Sequence, residues 1–355
     1  MPIAIRHFES AVSRVLSSAH FINTHSQDVF VPQDGVKRAA SQILRRMQSL
    51  GYSTADWKKH TLTPSIADAH AVEWIFLVDA LNFSFWSDQP PSRQYSVTLD
   101  GKTYRGYWTL CAAVNRALAE GIPITDARYY AVASDEELAR VFRGDEGTEP
   151  MPMLRERIMV LREVGGVLVE KYGGRFANLL ARCGGSASGL VDLVAAEFAC
   201  FRDEHEFQGR PVAMFKRAQI LVADIWACFE GKGLGRFEDI DSVTMFADYR
   251  VPQALCHFGA LEYSPRLWEH LRESEKSLKQ LGEAKSPGLL PSGHPWEVEI
   301  RGNSIWAVEC IKRCMEEEGT HVNAILIDFY LWDYSKEHSE EMKEIPIHLT
   351  RSINY

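Results

Sequence analysis

The residues best suited to chemistry fall in one stretch, 214–253. It opens with MFKRAQILVADIWACFEG and closes with TMFADYRVPQ, setting Lys216, Arg217, Gln219 and Asp224, then Asp248 and Arg250, among aromatic and aliphatic neighbours. A charge in such company is costly to bury alone, so at least some of these groups must be paired, hydrogen-bonded or turned toward a cleft. Lys216 and Arg217 sit about 100° apart around a predicted helix, so only one of them faces any given pocket. Asp224, about two turns on, can share the face of Lys216; a buried salt bridge is its alternative. Asp248 is a candidate catalytic carboxylate. It is equally suited to pairing with Arg250 or another cation and holding the turn before Pro252.

A second informative run is AHAVEWIFLVDALNFSFW, 69–86. It is apolar enough to be buried, yet Glu73, Asp79 and Asn82 interrupt it, and Phe83, Phe85 and Trp86 follow at once. An aromatic wall beside the Asn82 amide suits a heterocycle, because stacking needs a flat face and orientation needs a donor or acceptor. The competing reading is an ordinary buried helix whose polar groups bond backbone.

The elements that must position these groups are mostly helices. Residues 33–50 set Val36, Ala39, Ala40, Ile43, Leu44 and Met47 on one face and end at Gly51, which predicts an amphipathic helix with a glycine stop. An earlier helix is expected over 5–17, with an extended connector at 26–32. Asp100-Gly101 between 95–99 and 102–104 is the dipeptide of a tight hairpin. After Gly106 a helix should run to Gly121, and Ser134-Asp135-Glu136-Glu137 reads as a helix start. Residues 153–200 read as helices broken at Gly165-Gly166, Gly173-Gly174 and Gly184-Gly185, with Ser186 or Ser188 as a cap. Around FACFRDEHEF, where aromatics interleave with Arg202, Asp203 and Glu204, the expectation is a solvated charged turn beside core aromatics. Glu297-Val298-Glu299-Ile300-Arg301-Gly302 alternates like a short strand, with Glu299 and Arg301 as a surface pair. Residues 273–291 read as an exposed helix end and loop, and 345–355 as a tail that docks back. The predicted fold is mainly α in one compact unit over 1–355, any subdivision falling near 145–152, with one or two small β-hairpins.

Bulk properties exclude several classes. A chain of 355 residues with 46% hydrophobic and 25% charged residues has the profile of a soluble globular protein. Its net charge of -9 argues against wrapping a nucleic acid, which requires neutralising many phosphates. Seven scattered cysteines without a CxxC, and without a His cluster near Cys310 and Cys314, predict reduced thiols and no zinc site. The charged start MPIAIRHFESAVSRVL predicts neither a signal peptide nor a membrane span, and the expected location is the cytoplasm or nucleus. No glycine pair forms a nucleotide-binding loop.

The strings VDALNFSFW, FKRAQILVADIW, TMFADYRVPQ, EVEIRGNSIWAVE and ILIDFYLWD, in this order and spacing, resemble the queuosine-salvage glycosylase family over almost the whole chain. The resemblance implies an architecture similar to helix-hairpin-helix DNA glycosylases and hydrolysis of the N-glycosidic bond of queuosine 5′-monophosphate, releasing queuine. The implied partner is a nucleotide monomer, with no polymeric nucleic acid, membrane, metal or organic cofactor. Breaking a ribosyl C–N bond builds positive charge on the sugar, which a fixed carboxylate at the anomeric carbon stabilises. A 7-deazapurine has no N7 to protonate, so it leaves poorly and needs electrostatic help or proton donation elsewhere on the ring. A 5′-phosphate calls for Lys or Arg. On this basis Asp248 is the expected carboxylate, and Lys216 the cation for phosphate or for catalytic electrostatics. Asn82, Phe83, Trp86, Phe246, Tyr249, Arg250 and Asp328 are expected around the substrate. Tyr249 and Arg250 have loop orientation as their alternative. For Asp328 the choices are the amine or diol of the base's side arm, or a backbone-bonding aspartate.

Overall fold

The computed structural model describes residues 10–281 and 289–355. In chain order its helices are α1 (Ala11–His25), α2 (Gln33–Leu50), α3 (Ala69–Ala80), α4 (Tyr107–Ala119), α5 (Ala127–Tyr130), α6 (Asp135–Val141), α7 (Leu154–Tyr172) and α8 (Phe176–Leu180). There follow α9 (Ala187–Glu197), α10 (Lys216–Cys228), α11 (Val251–His257), α12 (Pro265–Leu281), α13 (Pro295–Glu317) and α14 (Ala324–Glu337). Three antiparallel pairs of short strands interrupt them: β1 (Val29–Phe30) with β6 (Glu262–Tyr263), β2 (Val97–Leu99) with β3 (Lys102–Tyr104), and β4 (Glu204–Phe207) with β5 (Arg210–Ala213). The protein is thus mainly α. No helix among the described residues is long and apolar enough to cross a membrane.

Local chemistry explains most boundaries. The buried face of α2 is the expected one, and Gly51 closes it at φ 60°, a left-handed conformation that costs glycine nothing. In the β2–β3 turn both Asp100 (φ 49°) and Gly101 (φ 77°) are left-handed, as a type I′ hairpin requires. Ser134 and Glu137 form a reciprocal capping box at α6, and Ser186 caps α9. The first helix is displaced from its expected place: α1 runs over Ala11–His25 because Ser10 caps it, and residues 5–9 of the expected 5–17 helix lie outside the described residues. Part of the expected loop in 273–291, residues 282–288, lies outside them too.

Three expectations are corrected. The helix α7 runs straight through Gly165-Gly166. Gly165 lies where a Cβ would meet the Tyr130 ring at 2.8 Å, so it is a packing glycine and not a helix end. The expected strand at 297–302 is the first part of α13, started by Pro295 and carrying Glu297 and Arg301 as an i,i+4 pair. Glu299 and Arg301 are buried and point apart: Glu299 accepts the amides of Gln27, Asp28 and Val29. In FACFRDEHEF the aromatics are core and Arg202, Glu204 and Glu206 are exposed, as expected, but Asp203 is buried and the segment continues as β4.

The core is a stack of helices: α13 lies against α1 and α2, α10 against α3 and α9, and α11 against α14. The C-terminal segment docks as expected. Ser84 N–H donates to Tyr355 O at 2.9 Å and Trp86 Nε1 to Thr350 O at 3.0 Å.

The two adjacent glycines of α7 predict substitutions of opposite sign. Gly166 is exposed and a Cβ there meets nothing, so Gly166→Ala should stabilise by about 0.5–1 kcal/mol through helix propensity. Gly165→Ala should destabilise by about 1–3 kcal/mol, because the Tyr130 ring and Ala131 backbone must move. Urea unfolding of the two variants measures both; equal shifts would contradict the packing role.

Candidate active site

A cavity of about 860 Å³ opens between α2, α10, α14, the 3-10 turn Thr54–Lys59 and the loop before α11. Its size suits a nucleotide-scale ligand. The stretch predicted to carry chemistry supplies Lys216, Asp224, Phe246, Asp248, Tyr249 and Arg250 to its lining, and Asn82 and Asp328 join them.

Asp248 is held by local chemistry that explains the string TMFADYRVPQ. Its Oδ1 accepts the amides of Arg250 and Val251, both at 2.8 Å, and Pro252 sits in the first turn of α11, where no backbone donor is needed. Oδ2 makes no protein hydrogen bond among the described residues and is the oxygen left for the cavity. The loop itself is pinned three times. Thr244 exchanges hydrogen bonds with Gln219 of α10, N–H to Oε1 at 2.9 Å and Nε2 to Oγ1 at 2.9 Å. Phe246 N–H donates to Asp328 Oδ2 at 3.0 Å, and Arg301 Nε donates to Ala247 O at 3.0 Å.

Lys216 opens α10 immediately after Phe215, a non-glycine residue at φ 48°. That strained junction is fixed by Asp203, whose carboxylate accepts Lys216 N–H at 3.1 Å while its carbonyl accepts Met214 N–H at 2.9 Å. Asp203 is in turn clamped by both terminal nitrogens of Arg301, at 2.9 and 2.5 Å, and Arg301 stacks on Tyr355 at 4.1 Å. Burial alone would raise the Asp203 carboxyl, but the Arg301 guanidinium overrides it and holds the group far below the usual carboxylate range. One guanidinium therefore sets both the start of α10 and the residue preceding Asp248.

The Lys216 side chain reaches the cavity, whereas the neighbouring Arg217 turns into the core. Arg217 donates to Ala80 O and Cys200 O and stacks on Phe83 and Phe201. Lys216 Nζ donates to Asn82 O at 3.2 Å and Asn82 Oδ1 at 3.3 Å. Asn82 can meet it because α3 unwinds there, its last carbonyls covered by two buried guanidiniums: Arg217 on Ala80 O, and Arg157 on Leu81 O and Phe83 O.

Burial dominates the electrostatics. It lowers the Lys216 ammonium, opposed first by Asp248 and then by Asp79. It raises Asp248 above the ordinary aspartate value, against the Val251 amide and Lys216. Asp328 is pushed well up by burial and by Asp248, and Asp224 by burial and Asp79, which burial itself pushes up to about 7. The charges follow one another across the cavity. Lys336 interacts with Arg250 and Asp248, Asp248 with Lys216 and Asp328, and these last two with Asp224.

The aromatic wall is not where the sequence suggests. Phe83 is fully buried between the guanidiniums of Arg157 and Arg217, at 4.3 and 5.2 Å. Trp86 is covered by Arg351 at 3.6 Å. Neither lines the cavity, because two guanidiniums needed to cap α3 and one from the docked tail occupy their faces. The wall is built instead by Phe85, Tyr107, Trp108 and Trp332, with His60 stacked on Trp108 at 3.4 Å. Sequence reasoning missed Tyr107 and Trp108, adjacent just after Gly106, and also Trp332 and Lys336. These last two lie four and eight residues after Asp328 on one face of α14, a spacing that carried the signal.

Comparison with known proteins gives a consistent answer. A sequence model described as "Queuosine salvage protein" matches residues 62–355. A protein of Mus musculus is 47% identical over 346 residues, covering 95% of this chain and 97% of its own. A Schizosaccharomyces pombe protein is 46% identical over 336 residues, 92% of each chain, and a Sphaerobacter thermophilus protein is 36% identical over 341 residues, 96% and 97%. Each is named queuosine 5′-phosphate N-glycosylase/hydrolase.

The shared dependence on Arg301 predicts that Arg301→Met strands the buried Asp203 carboxylate, at a cost of about 3–5 kcal/mol. Chemical unfolding measures it; a loss below about 1 kcal/mol, the worth of an exposed pair, would show that the ion pair is not structural.

Proposed function

The chain belongs to the queuosine salvage protein family, and from that premise we infer that it is an N-glycosidase that hydrolyses the N-glycosidic bond of queuosine 5′-phosphate. The products are queuine, returned to transfer RNA, and ribose 5-phosphate. The observation that carries the reading is Asp248: a carboxylate locked on one oxygen by two amides, with its second oxygen left for a walled cavity of nucleotide size. As the glycosidic bond breaks, positive charge grows at the anomeric carbon. A carboxylate already fixed there stabilises that charge without reorganising, so the gain is larger in the transition state than in the ground state.

Lys216 serves the same step. Its charge favours the ionised form of Asp248 against burial, and that form is the one the reaction needs. Asp328 holds the loop through Phe246 N–H and presents its carboxyl to the cavity, where the amine or diol of the base's side arm is its partner. Phe246 and Tyr249 line the sugar end, and Tyr107, Trp108 and Trp332 supply the flat faces for the base.

The substrate is a free nucleotide and not a polymer; the walled cavity and the net charge of -9 support this. A cytoplasmic or nuclear location is proposed on the seven cysteines, all of which are free.

Release of queuine from queuosine 5′-phosphate tests the reading. The wild type should release base, and Asp248→Asn, folded and able to bind, should lose about 10³-fold in kcat. If the wild type binds the nucleotide and releases nothing, the chain is a binding protein. If Asp248→Asn keeps full activity, the reacting carboxylate is another one.

A further inference from the structure

The docked tail bears on the site at two places. At the first, Tyr355 is buried, lines the cavity and lays its ring on the Arg301 guanidinium, with Cζ 4.1 Å from the ring centroid. Arg301 is the group whose Nε holds Ala247 O and whose terminal nitrogens hold Asp203 and, at 3.2 Å, Glu297 Oε1. Its edge is therefore engaged all round, and its face is what Tyr355 covers. A guanidinium held only by its edge can tilt about those bonds. A ring on its face opposes the tilt, and the attraction between cation and π electrons is stronger where water is excluded.

At the second, the tail grips the chain just after α3. Ser84 stands at φ 46°, a left-handed conformation that a serine keeps only when its surroundings impose it. The tail imposes it: Ser84 N–H donates to Tyr355 O at 2.9 Å, Ser84 Oγ donates to Ser352 O at 2.8 Å, and Ser352 N–H donates to that Oγ at 3.1 Å. Arg351 adds a bond from Nη1 to Trp86 O at 2.8 Å. Two residues before Ser84 is Asn82, whose carbonyl and side-chain oxygens hold the Lys216 ammonium. One residue of the tail thus acts on both halves of the site, on the Asp248 loop through Arg301 and on the Lys216 contact through Ser84.

We propose that Tyr355 is a positioning residue for the cleavage step: with its ring on Arg301 and its carbonyl on Ser84 N–H, it braces the Asp248 carboxylate and the Lys216 ammonium against each other. The proposal rests on the glycosidase reading for its catalytic consequence, while the brace itself is a claim about order in the loop 244–251. The consequence falls on turnover and not on binding. Charge develops at the anomeric carbon only as the bond breaks, so the placement of Asp248 is felt in the transition state. The flat faces for the base come from Tyr107, Trp108 and Trp332, which stand on α4 and α14 and on neither segment that the tail braces.

The test compares wild type with Tyr355→Leu, which fills much of the same space without an aromatic face, and with Tyr355→Phe, which restores the face without the hydroxyl. For release of queuine from queuosine 5′-phosphate, Tyr355→Leu should lower kcat about 10- to 100-fold and leave KM within about threefold of wild type. Tyr355→Phe should bring kcat back to within about threefold of wild type. Hydrogen exchange read by mass spectrometry needs no activity: the amides of 244–251, two of which Asp248 Oδ1 accepts, should exchange about tenfold faster in Tyr355→Leu and not in Tyr355→Phe, while those of α5 and α6 stay as in wild type. Should Tyr355→Leu not fold, Ser84→Gly relieves the φ of Ser84 and removes both Oγ bonds to the tail, and it too should lower kcat about tenfold. An unchanged kcat in either variant, a raised KM in place of a lowered kcat, or exchange that speeds equally in α5 and α6 would overturn the proposal. If wild type releases no base, the glycosidase reading fails, and the exchange of 244–251 alone decides the brace.

Discussion

The structure depends on one buried guanidinium. Arg301 holds Asp203, which holds the amide of Lys216, and the same side chain holds the carbonyl of Ala247, which precedes Asp248. Residues separated by tens of positions in sequence thus reach the cavity in a fixed relation. Burying a charged pair brings little net stability, because desolvation offsets most of the Coulomb gain. What such a pair supplies here is position: a salt bridge with two defined hydrogen bonds has one geometry, whereas an apolar contact has many.

The contrast between Asp203 and Asp248 shows which effect wins. Asp203 is buried and Asp248 half-buried at the cavity, and burial raises both. Asp203 meets a guanidinium through two direct hydrogen bonds and ends far below the usual range; Asp248 meets two amides and a more distant ammonium that is bonded to Asn82, and ends above it. Direct bidentate contact overcomes desolvation, and a charge at a distance does not. The first carboxylate is inert structure. The second lines the cavity, with Lys216 turned to Asn82 instead of closing on it.

Much of this was legible in the sequence. Periodicity, caps and turn dipeptides located α2, α6, α9 and the β2–β3 hairpin, because their determinants are local. TMFADYRVPQ pointed to Asp248 through its resemblance to a family and the chemistry of glycosidic cleavage; its alternative, holding the turn before Pro252, is also met, because Oδ1 accepts the amides of Arg250 and Val251. What failed was non-local. The period of two in Glu297 to Gly302 imitates a strand, yet Pro295 starts a helix there and both faces are buried, so alternation carries no information. Phe83 and Trp86 are adjacent to Asn82 in sequence, but guanidiniums from α7, α10 and the C-terminal tail take their faces. The actual wall joins α4 to α14, more than two hundred residues apart, which no spacing rule connects.

Asp248 is a half-buried carboxylate whose ionised form Lys216 favours against burial. The direct measurement is a ¹³C NMR titration of the aspartate carboxyl carbons, with the Asp248 signal assigned by its loss in Asp248→Asn, in wild type and Lys216→Met. Burial raises this pKa and the ammonium lowers it, so wild type should titrate above the ordinary aspartate value of 3.8, and removing the ammonium should move the midpoint to higher pH still. A wild-type midpoint at or below the ordinary value, or no movement in Lys216→Met, would contradict the account.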